Sequence, residues 1–308
     1  MKQETTSIAG SAMWLSPTVC RNLLTCLNLM AQIVLLLPCY RNFVHQLGEA
    51  DAIVECIELA SRDLKSRATT KPSVVDDLSE QHGVRVNQIN WDTFLNDIAR
   101  MHLVSVYQQL EYFYKSLPKQ HPSGGSWRKL GDKEPRIDFL MSCMGVDESS
   151  LGEHRVRIVE YYRLTRNQYV HSLAEKETQT NYRNSLLSSR NSWSTEYPLA
   201  APNALGELTF DDFILFTRAA KDLAYEFCKS IDPNTENVVK GLQRLDQIEN
   251  SNISITRLSR YKNSTKNLLR KLERTLQCAF GFDKLAIDYF IDGHPDGLLA
   301  QLVERQAP

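Results

Sequence analysis

The chain contains 308 residues, of which 42% are hydrophobic and 24% are charged, and these values are typical of a globular protein with one or two domains. Its formal net charge of −1 excludes a general electrostatic attraction to nucleic acid, so any such binding must use a local basic patch. The seven cysteines include no Cys-x-x-Cys pair, and their odd number and wide spacing argue against a disulfide framework or a zinc module. We therefore expect a cytoplasmic protein with reduced thiols, no metal ion and no other cofactor.

The first distinctive segment is an apolar run near the N-terminus. Residues 23–37 are apolar apart from a few scattered polar side chains, and Pro38 follows them. The run is shorter than the roughly 20 apolar residues that a membrane-spanning helix needs, and it begins too late for a signal peptide. We predict a buried helix here, within an N-terminal helical segment of residues 1–40, and we expect no membrane association.

Helical periodicity dominates the next part of the chain, and no convincing alternating strand pattern interrupts it. The pattern predicts helices over residues 40–67 and 90–117, and the second has a wide apolar stripe that ends at Pro118. The Pro and Gly residues of segment 118–135 predict a loop. These features indicate an all-α fold.

A further long helix is predicted from Ser150 to about residue 173. Ser150 and Glu153 have the spacing of a capping box, in which hydroxyl and carboxylate satisfy the first free amide groups. Apolar residues then recur at helical spacing, so we expect one face to be buried, consisting of Val156, Val159 and Tyr162.

The second half of the chain begins with a polar stretch and continues with amphipathic segments. Residues 176–207 predict a loop, and Thr209 precedes a helix that reaches Ile231. The remaining residues, 232–308, are predicted to form a separate helical region, with helices near 236–250, 255–280, 283–291 and 296–305.

The most chemically informative segment is Arg166-Asn167-Gln168-Tyr169-Val170-His171. Asn167 and His171 are four residues apart and share a helix face, whereas Arg166 lies about 140° away from His171 and must rely on its long side chain to reach the same pocket. Histidine can transfer a proton near neutral pH, arginine matches phosphate oxygens, and asparagine can orient the imidazole or contact the phosphate. These groups suit RNA cleavage without a metal.

This motif, near the end of a long capped helix and followed by an amphipathic helix, resembles the HEPN superfamily of helical ribonucleases and nucleotide-binding domains. The ribonucleases of this superfamily carry the sequence motif Arg-polar-x3-His. The resemblance covers residues 41–231 and implies a helical bundle that forms a homodimer with both motifs in one cleft. It implies catalytic roles for Arg166 and His171 and a supporting role for Asn167. The long loops and the extra terminal regions depart from a compact HEPN unit and leave the RNA target open.

The resemblance implies a metal-independent endoribonuclease that leaves a cyclic phosphate. By analogy it would be a toxin or antiviral defence effector, restrained until triggered or neutralised by an inhibitory or antitoxin partner. Two alternatives stay open. One is a non-catalytic HEPN-like module that binds a nucleotide or a protein, and the other is a DNA-binding regulator that uses its C-terminal basic helix.

Two other basic patterns need an interpretation. Arg41 and His45 look similar to the motif but are only four residues apart, which predicts a surface pair at the start of a helix. Near the C-terminus, basic residues recur every fourth position with leucines on the opposite face; this stripe consists of Lys262, Lys266, Arg270 and Arg274. Such a helix can bind RNA along its phosphates, but the same pattern is also typical of a solvated amphipathic face.

Overall fold

The structure is a computed structural model, and it describes residues 33–87, 89–171, 176–248, 253, 258 and 264–292. These residues form helices joined by turns and loops and include no strand, so the all-α prediction is confirmed for them. In chain order the helices are α1 (Pro38–Thr70), α2 (Val74–His82), α3 (Trp91–Gln120), α4 (Arg136–Met144), α5 (Glu148–Leu151), α6 (Glu153–His171), α7 (Lys176–Ser188), α8 (Arg190–Trp193), α9 (Phe210–Lys229), α10 (Thr235–Asp246), α11 (Thr265–Phe280) and α12 (Lys284–Asp292).

Four long helices, α1, α3, α6 and α9, form the central bundle. Helix α3 packs against the other three, and α9 also packs against α1 and α6. The apolar faces meet through buried aromatic pairs, with ring centroids 5.5 Å apart for Phe43 and Phe113 and 5.1 Å apart for Tyr162 and Phe216. Such aromatic side chains bury a large apolar area and strongly stabilise a helical core. Val156, Val159 and Tyr162 are buried, as the periodicity of α6 predicts.

The prediction of a helix before Pro38 is wrong for residues 33–37, while residues 23–32 lie outside the described part. Residues 33–37 have no helical structure, and Ile33, Leu35 and Leu37 are buried in alternation. The amide of Leu36 donates to the carbonyl of Phe280 at 3.2 Å, which ties this segment to the end of α11. Pro38 starts α1 instead of ending a helix, because its fixed φ suits the first helical position and its missing N–H has no partner there anyway.

Helix α3 continues beyond its predicted end. Pro118 lies inside the helix, which runs to Gln120. Proline removes one backbone donor, but only the final residues of α3 follow it, and the carbonyl of Pro118 accepts a hydrogen bond from Arg244 at 3.3 Å. Packing of the buried Leu117 in the core also holds this last turn.

The start of α6 differs from the prediction. The capping box joins Asp147 and Ser150 at the short helix α5, and it does not join Ser150 and Glu153. Gly152, with φ of 85°, separates α5 from α6. This backbone conformation is one that residues with a side chain rarely adopt, so the glycine allows the chain to turn between two helices.

The prediction of a loop over residues 176–207 is wrong for its first half, which contains α7 and α8. Helix α7 is polar, but it packs along α6, and Gln179 donates to the hydroxyl of Thr165 at 2.6 Å. Leu186 and Trp193 are fully covered, and the indole of Trp193 donates to the carbonyl of Leu186 at 3.1 Å. Tertiary contacts therefore stabilise helices that local sequence preference does not favour.

Helix α9 begins directly after Thr209, as predicted, and ends at Lys229, slightly before the predicted Ile231. Its first turn contains Asp212, which is fully buried and accepts hydrogen bonds from the Tyr162 hydroxyl and from the amides of Asn203 and Thr209, each at 2.8 Å. These bonds fix the preceding loop against α6 and α9.

The described C-terminal helices share a core with the bundle. Helix α10 packs against α3, and α11 packs against α1. The helix predicted over 236–250 ends at Asp246. The helix predicted over 255–280 is not continuous, because Leu258 is helical, Ser264 has an extended backbone, and α11 begins at Thr265. The helix predicted near 296–305 lies outside the described residues. The division at residue 232 stays a prediction. Of the helices that the structure describes, none is both long and apolar enough to cross a membrane.

Candidate functional site

The predicted site residues lie together in the last turns of α6. The Arg166 guanidinium places Nη1 3.1 Å from the amide oxygen of Asn167 and 3.1 Å from Nε2 of His171. The arginine thus bridges the angular separation along the helix through its long side chain. Arg166 and Asn167 are half-buried and His171 is exposed, so the cluster can be reached from solvent.

The contact between Arg166 and His171 restricts which ring nitrogen can take part in a hydrogen bond. An arginine has only donors, so Nε2 of His171 must accept, and an accepting nitrogen carries no proton. A hydrogen bond at this contact therefore requires the tautomer of His171 that carries its proton on Nδ1. An imidazole beside a guanidinium places a proton-transfer group next to an anion-binding group, which is the combination that phosphate chemistry requires.

An aromatic ring from α3 supports the arginine. The guanidinium carbon of Arg166 lies 5.1 Å from the ring centroid of Tyr107, within the range of a cation–π contact. Burial raises the pKa of the Tyr107 hydroxyl above its ordinary value, so this side chain stays a neutral phenol at physiological pH. The Nε atom of Arg166 is buried and has no hydrogen-bond partner in the described structure.

A second cation–π contact joins the same two helices, and here the arginine is on α3 and the tyrosine is on α6. The Arg100 guanidinium of α3 lies 5.6 Å from the ring centroid of Tyr169 on α6. Arg100 is itself held by the carbonyl of Leu205, at 3.3 Å from Nε and 3.1 Å from Nη2, and by Asp97 at 3.1 Å. Each helix therefore supplies one arginine and one tyrosine, and together the two contacts hold the end of α6 against α3.

Tyr107 and Arg100 were not predicted as site residues, although both lie on the helix predicted over residues 90–117. Their role depends on how α3 and α6 pack, which no spacing within one helix reveals. The acidic neighbour nearest along α6 is Glu160, which is buried and pairs with Arg163 at 2.8 Å. Among the described residues no carboxylate forms an ion pair with Arg166 or His171.

The predicted basic stripe is present on α11 as far as the structure describes it. Lys266, Arg270 and Arg274 are exposed, and Leu272 and Leu276 are buried on the opposite face. Lys262 lies outside the described residues. The stripe lies on α11 and the motif on α6. These two helices have different packing partners, since α11 packs against α1 and α6 packs against α3, α7 and α9.

The expected surface pair of Arg41 and His45 is wrong. Arg41 donates to the final carbonyls of α11, namely those of Gln277, Cys278 and Ala279, and it is partly buried. His45 instead lies 3.6 Å from Glu49. Helix ends leave carbonyl groups without partners, so the guanidinium caps α11 and joins it to α1.

No group of three or more metal-binding side chains occurs in the part of the chain that the structure describes. No protein-family model, curated protein or solved structure matches this chain. An assignment of function must therefore be argued from the geometry at the end of α6 and from the chemistry of its residues.

Proposed function

We propose that this protein is a metal-independent endoribonuclease of the HEPN type, with its active site at the end of α6. The observation that carries the proposal is the position of Arg166 Nη1, 3.1 Å from both Asn167 Oδ1 and His171 Nε2 on an accessible surface. A permanent positive charge, a proton-transfer group and an amide are thereby brought to one point, and no carboxylate of the described residues forms an ion pair with them.

Each side chain has a defined role in the proposed reaction. Arg166 binds the scissile phosphate and stabilises the negative charge that develops on its oxygens in the transition state. His171 exchanges a proton with the reacting oxygens, and Asn167 orients Arg166 by accepting from Nη1. The 2′-oxygen forms a bond to phosphorus as it loses its proton, and the bond to the 5′-oxygen breaks as that oxygen gains one. The products are a 2′,3′-cyclic phosphate and a 5′-hydroxyl.

A second copy of the chain would complete this chemistry. One histidine cannot be both the base for the 2′-hydroxyl and the acid for the leaving oxygen within a single step. A two-fold interface would place the same patch of both copies face to face and bring two histidines to one phosphate. Tyr169 and Val170, each 42% exposed, immediately precede His171 and supply apolar surface for such an interface. An inhibitory partner protein would act by covering the same surface.

The proposal is tested with a 5′-labelled single-stranded RNA and the same sequence with deoxyriboses. Wild-type protein is expected to cut only the RNA, because the reaction needs the 2′-hydroxyl, and the new 3′ ends should carry a cyclic phosphate. The cut is expected to persist in EDTA, since Arg166 and His171 supply the charge and the proton transfer themselves. A cut that needs magnesium, or cleavage of the deoxy strand, contradicts the proposal. Binding of either strand without cleavage favours the non-catalytic or DNA-binding alternative.

A further inference from the structure

The Arg166 side chain has few contacts that fix its orientation. Nη1 is bonded to Asn167 and His171, Nε is buried without a hydrogen-bond partner, and Nη2 makes no hydrogen bond among the described residues. Both bonds leave from Nη1, so among the described residues no hydrogen bond holds the edge of the guanidinium that carries Nη2. The ring of Tyr107 lies 5.1 Å from the guanidinium carbon and adds an aromatic contact to the group.

We propose that Tyr107 is a positioning residue of the site, whose ring fixes the Arg166 guanidinium so that Nη1 contacts His171 and Nη2 points to the substrate phosphate. This inference rests on the proposed function for its catalytic consequence, but the effect on the contact between Arg166 and His171 does not depend on it. The ring restrains the guanidinium plane from one side, and the N–H groups lie in that plane. A phosphate that approaches along the edge can then meet donors that are already oriented.

The contact uses the face of the ring and not the hydroxyl. No hydrogen bond from the Tyr107 hydroxyl occurs within the described residues, and burial raises its pKa, so the group remains protonated and neutral. A phenylalanine presents a similar face to a cation, whereas leucine fills similar space without a π system. The two substitutions therefore separate support by the ring from simple packing.

The structure also indicates that losing the ring would have a local effect. The reciprocal contact of Arg100 with Tyr169 holds the last turn of α6 against α3 independently of Tyr107. Arg100 is anchored by three further hydrogen bonds, so this second contact remains when Tyr107 is changed. Helix α6 should thus keep its place while the arginine side chain loses its support.

The first experiment measures single-turnover RNA cleavage by Tyr107→Leu and Tyr107→Phe, with Tyr112→Leu as the control. Tyr112 is an exposed tyrosine of the same helix, about 140° round from Tyr107. We expect the rate to fall about 2- to 30-fold in Tyr107→Leu, the range of a cation–π contact, and to stay within about twofold in the other two. Thermal unfolding of every variant is recorded alongside.

A double-mutant cycle identifies the residue through which Tyr107 acts. If the ring works by orienting Arg166, then adding Tyr107→Leu to Arg166→Ala should cause no further loss of rate. An equal loss in both backgrounds, or a loss in Tyr107→Phe as large as in Tyr107→Leu, overturns the proposal and assigns Tyr107 to general packing or to hydroxyl chemistry.

A readout without RNA separates this inference from the proposed function. The ¹⁵N signals of the His171 ring report which nitrogen carries the proton, and the contact with Arg166 favours the proton on Nδ1. We expect the Nε2 signal to move in Tyr107→Leu and to stay in Tyr107→Phe and Tyr112→Leu. An unchanged signal in Tyr107→Leu overturns the positioning role. A changed signal in a protein that cuts no RNA supports that role and overturns the ribonuclease assignment alone.

Discussion

Both ends of α6 carry an arginine and a histidine, but the side chains that contact these residues differ between the two ends. At the N-terminal end, Arg155 donates to Glu196 at 2.8 and 3.0 Å and to Glu226 at 3.2 Å. His154 contacts the second oxygen of Glu196 at 3.0 Å. Burial alone would raise the pKa of Glu196, but hydrogen bonds from Arg155 and other neighbours lower it below its ordinary value. Every charge at this end has a partner of opposite sign.

At the C-terminal end, Arg166 contacts the amide of Asn167, the imidazole of His171 and the ring of Tyr107, and none of these is an acid. Such partners orient a guanidinium without cancelling its charge. An arginine and a histidine on a helix are therefore not by themselves evidence of an anion-binding site. What distinguishes a site is a charge that the fold positions and leaves uncompensated, because such a charge gains most from an incoming phosphate.

The largest expected effect is that of His171→Ala. If the imidazole transfers the proton, its loss should lower the cleavage rate by about 10²–10⁴-fold. His171 is exposed, so the unfolding midpoint should remain near that of the wild type. His154→Ala, at the paired end, is the matched control and should keep its activity. A purified His171→Ala protein that cuts RNA within about threefold of wild type would exclude this histidine as the catalyst.

Arg166 is expected to contribute slightly less than His171. Removal of one transition-state donor typically costs about 10²–10³-fold in rate, which is the loss we expect for Arg166→Ala. Arg166→Lys should restore little, because a single ammonium group cannot reproduce the planar fork. The measurement is single-turnover cleavage at saturating RNA, and full activity of the lysine variant would show that charge alone suffices.

Substitution of Arg155 should lower the stability of the fold and leave the cleavage rate unchanged. Arg155→Met leaves Glu226 and Glu196 without their main donor, and we expect it to reduce the free energy of unfolding by about 1.5–3 kcal/mol, the range for hydrogen bonds to charged groups. Denaturant titration measures this change. Cleavage per folded molecule should be unaffected. A strong loss of activity with unchanged stability would remove the distinction between the two ends of α6.

The smallest effect is expected for the basic stripe of α11, and it concerns binding alone. Changing Lys266, Arg270 and Arg274 to Gln removes up to three phosphate contacts. Because each contact to a single strand releases about 0.7 counterions, the slope of log K against log salt should flatten by up to about 2 units. The single-turnover rate at saturating RNA should stay the same. An unchanged slope would assign the stripe to an ordinary solvated face.

The sequence predicted features that depend on local patterns. The helical period placed α1, α3, α6 and α9, and it identified the buried face of α6 that contains Val156 and Tyr162. It failed where tertiary contacts outweigh local preference. The polar helix α7 forms because Gln179 and Leu186 pack against neighbouring structure, and residues 33–37 are not helical because they lie against the end of α11.

The residue types of the candidate site were determined by the sequence, since Arg166, Asn167 and His171 lie within a single helical segment whose spacing is readable. The tertiary structure decided which side chains from other helices lie beside these residues. Tyr107 is distant along the chain but lies at the guanidinium because α3 packs beside α6, and Arg41 is a cap of α11 because α1 packs against that helix. Spacing along one helix fixes which side chains share a face, whereas the compensation of a charge depends on what the neighbouring helices place beside it.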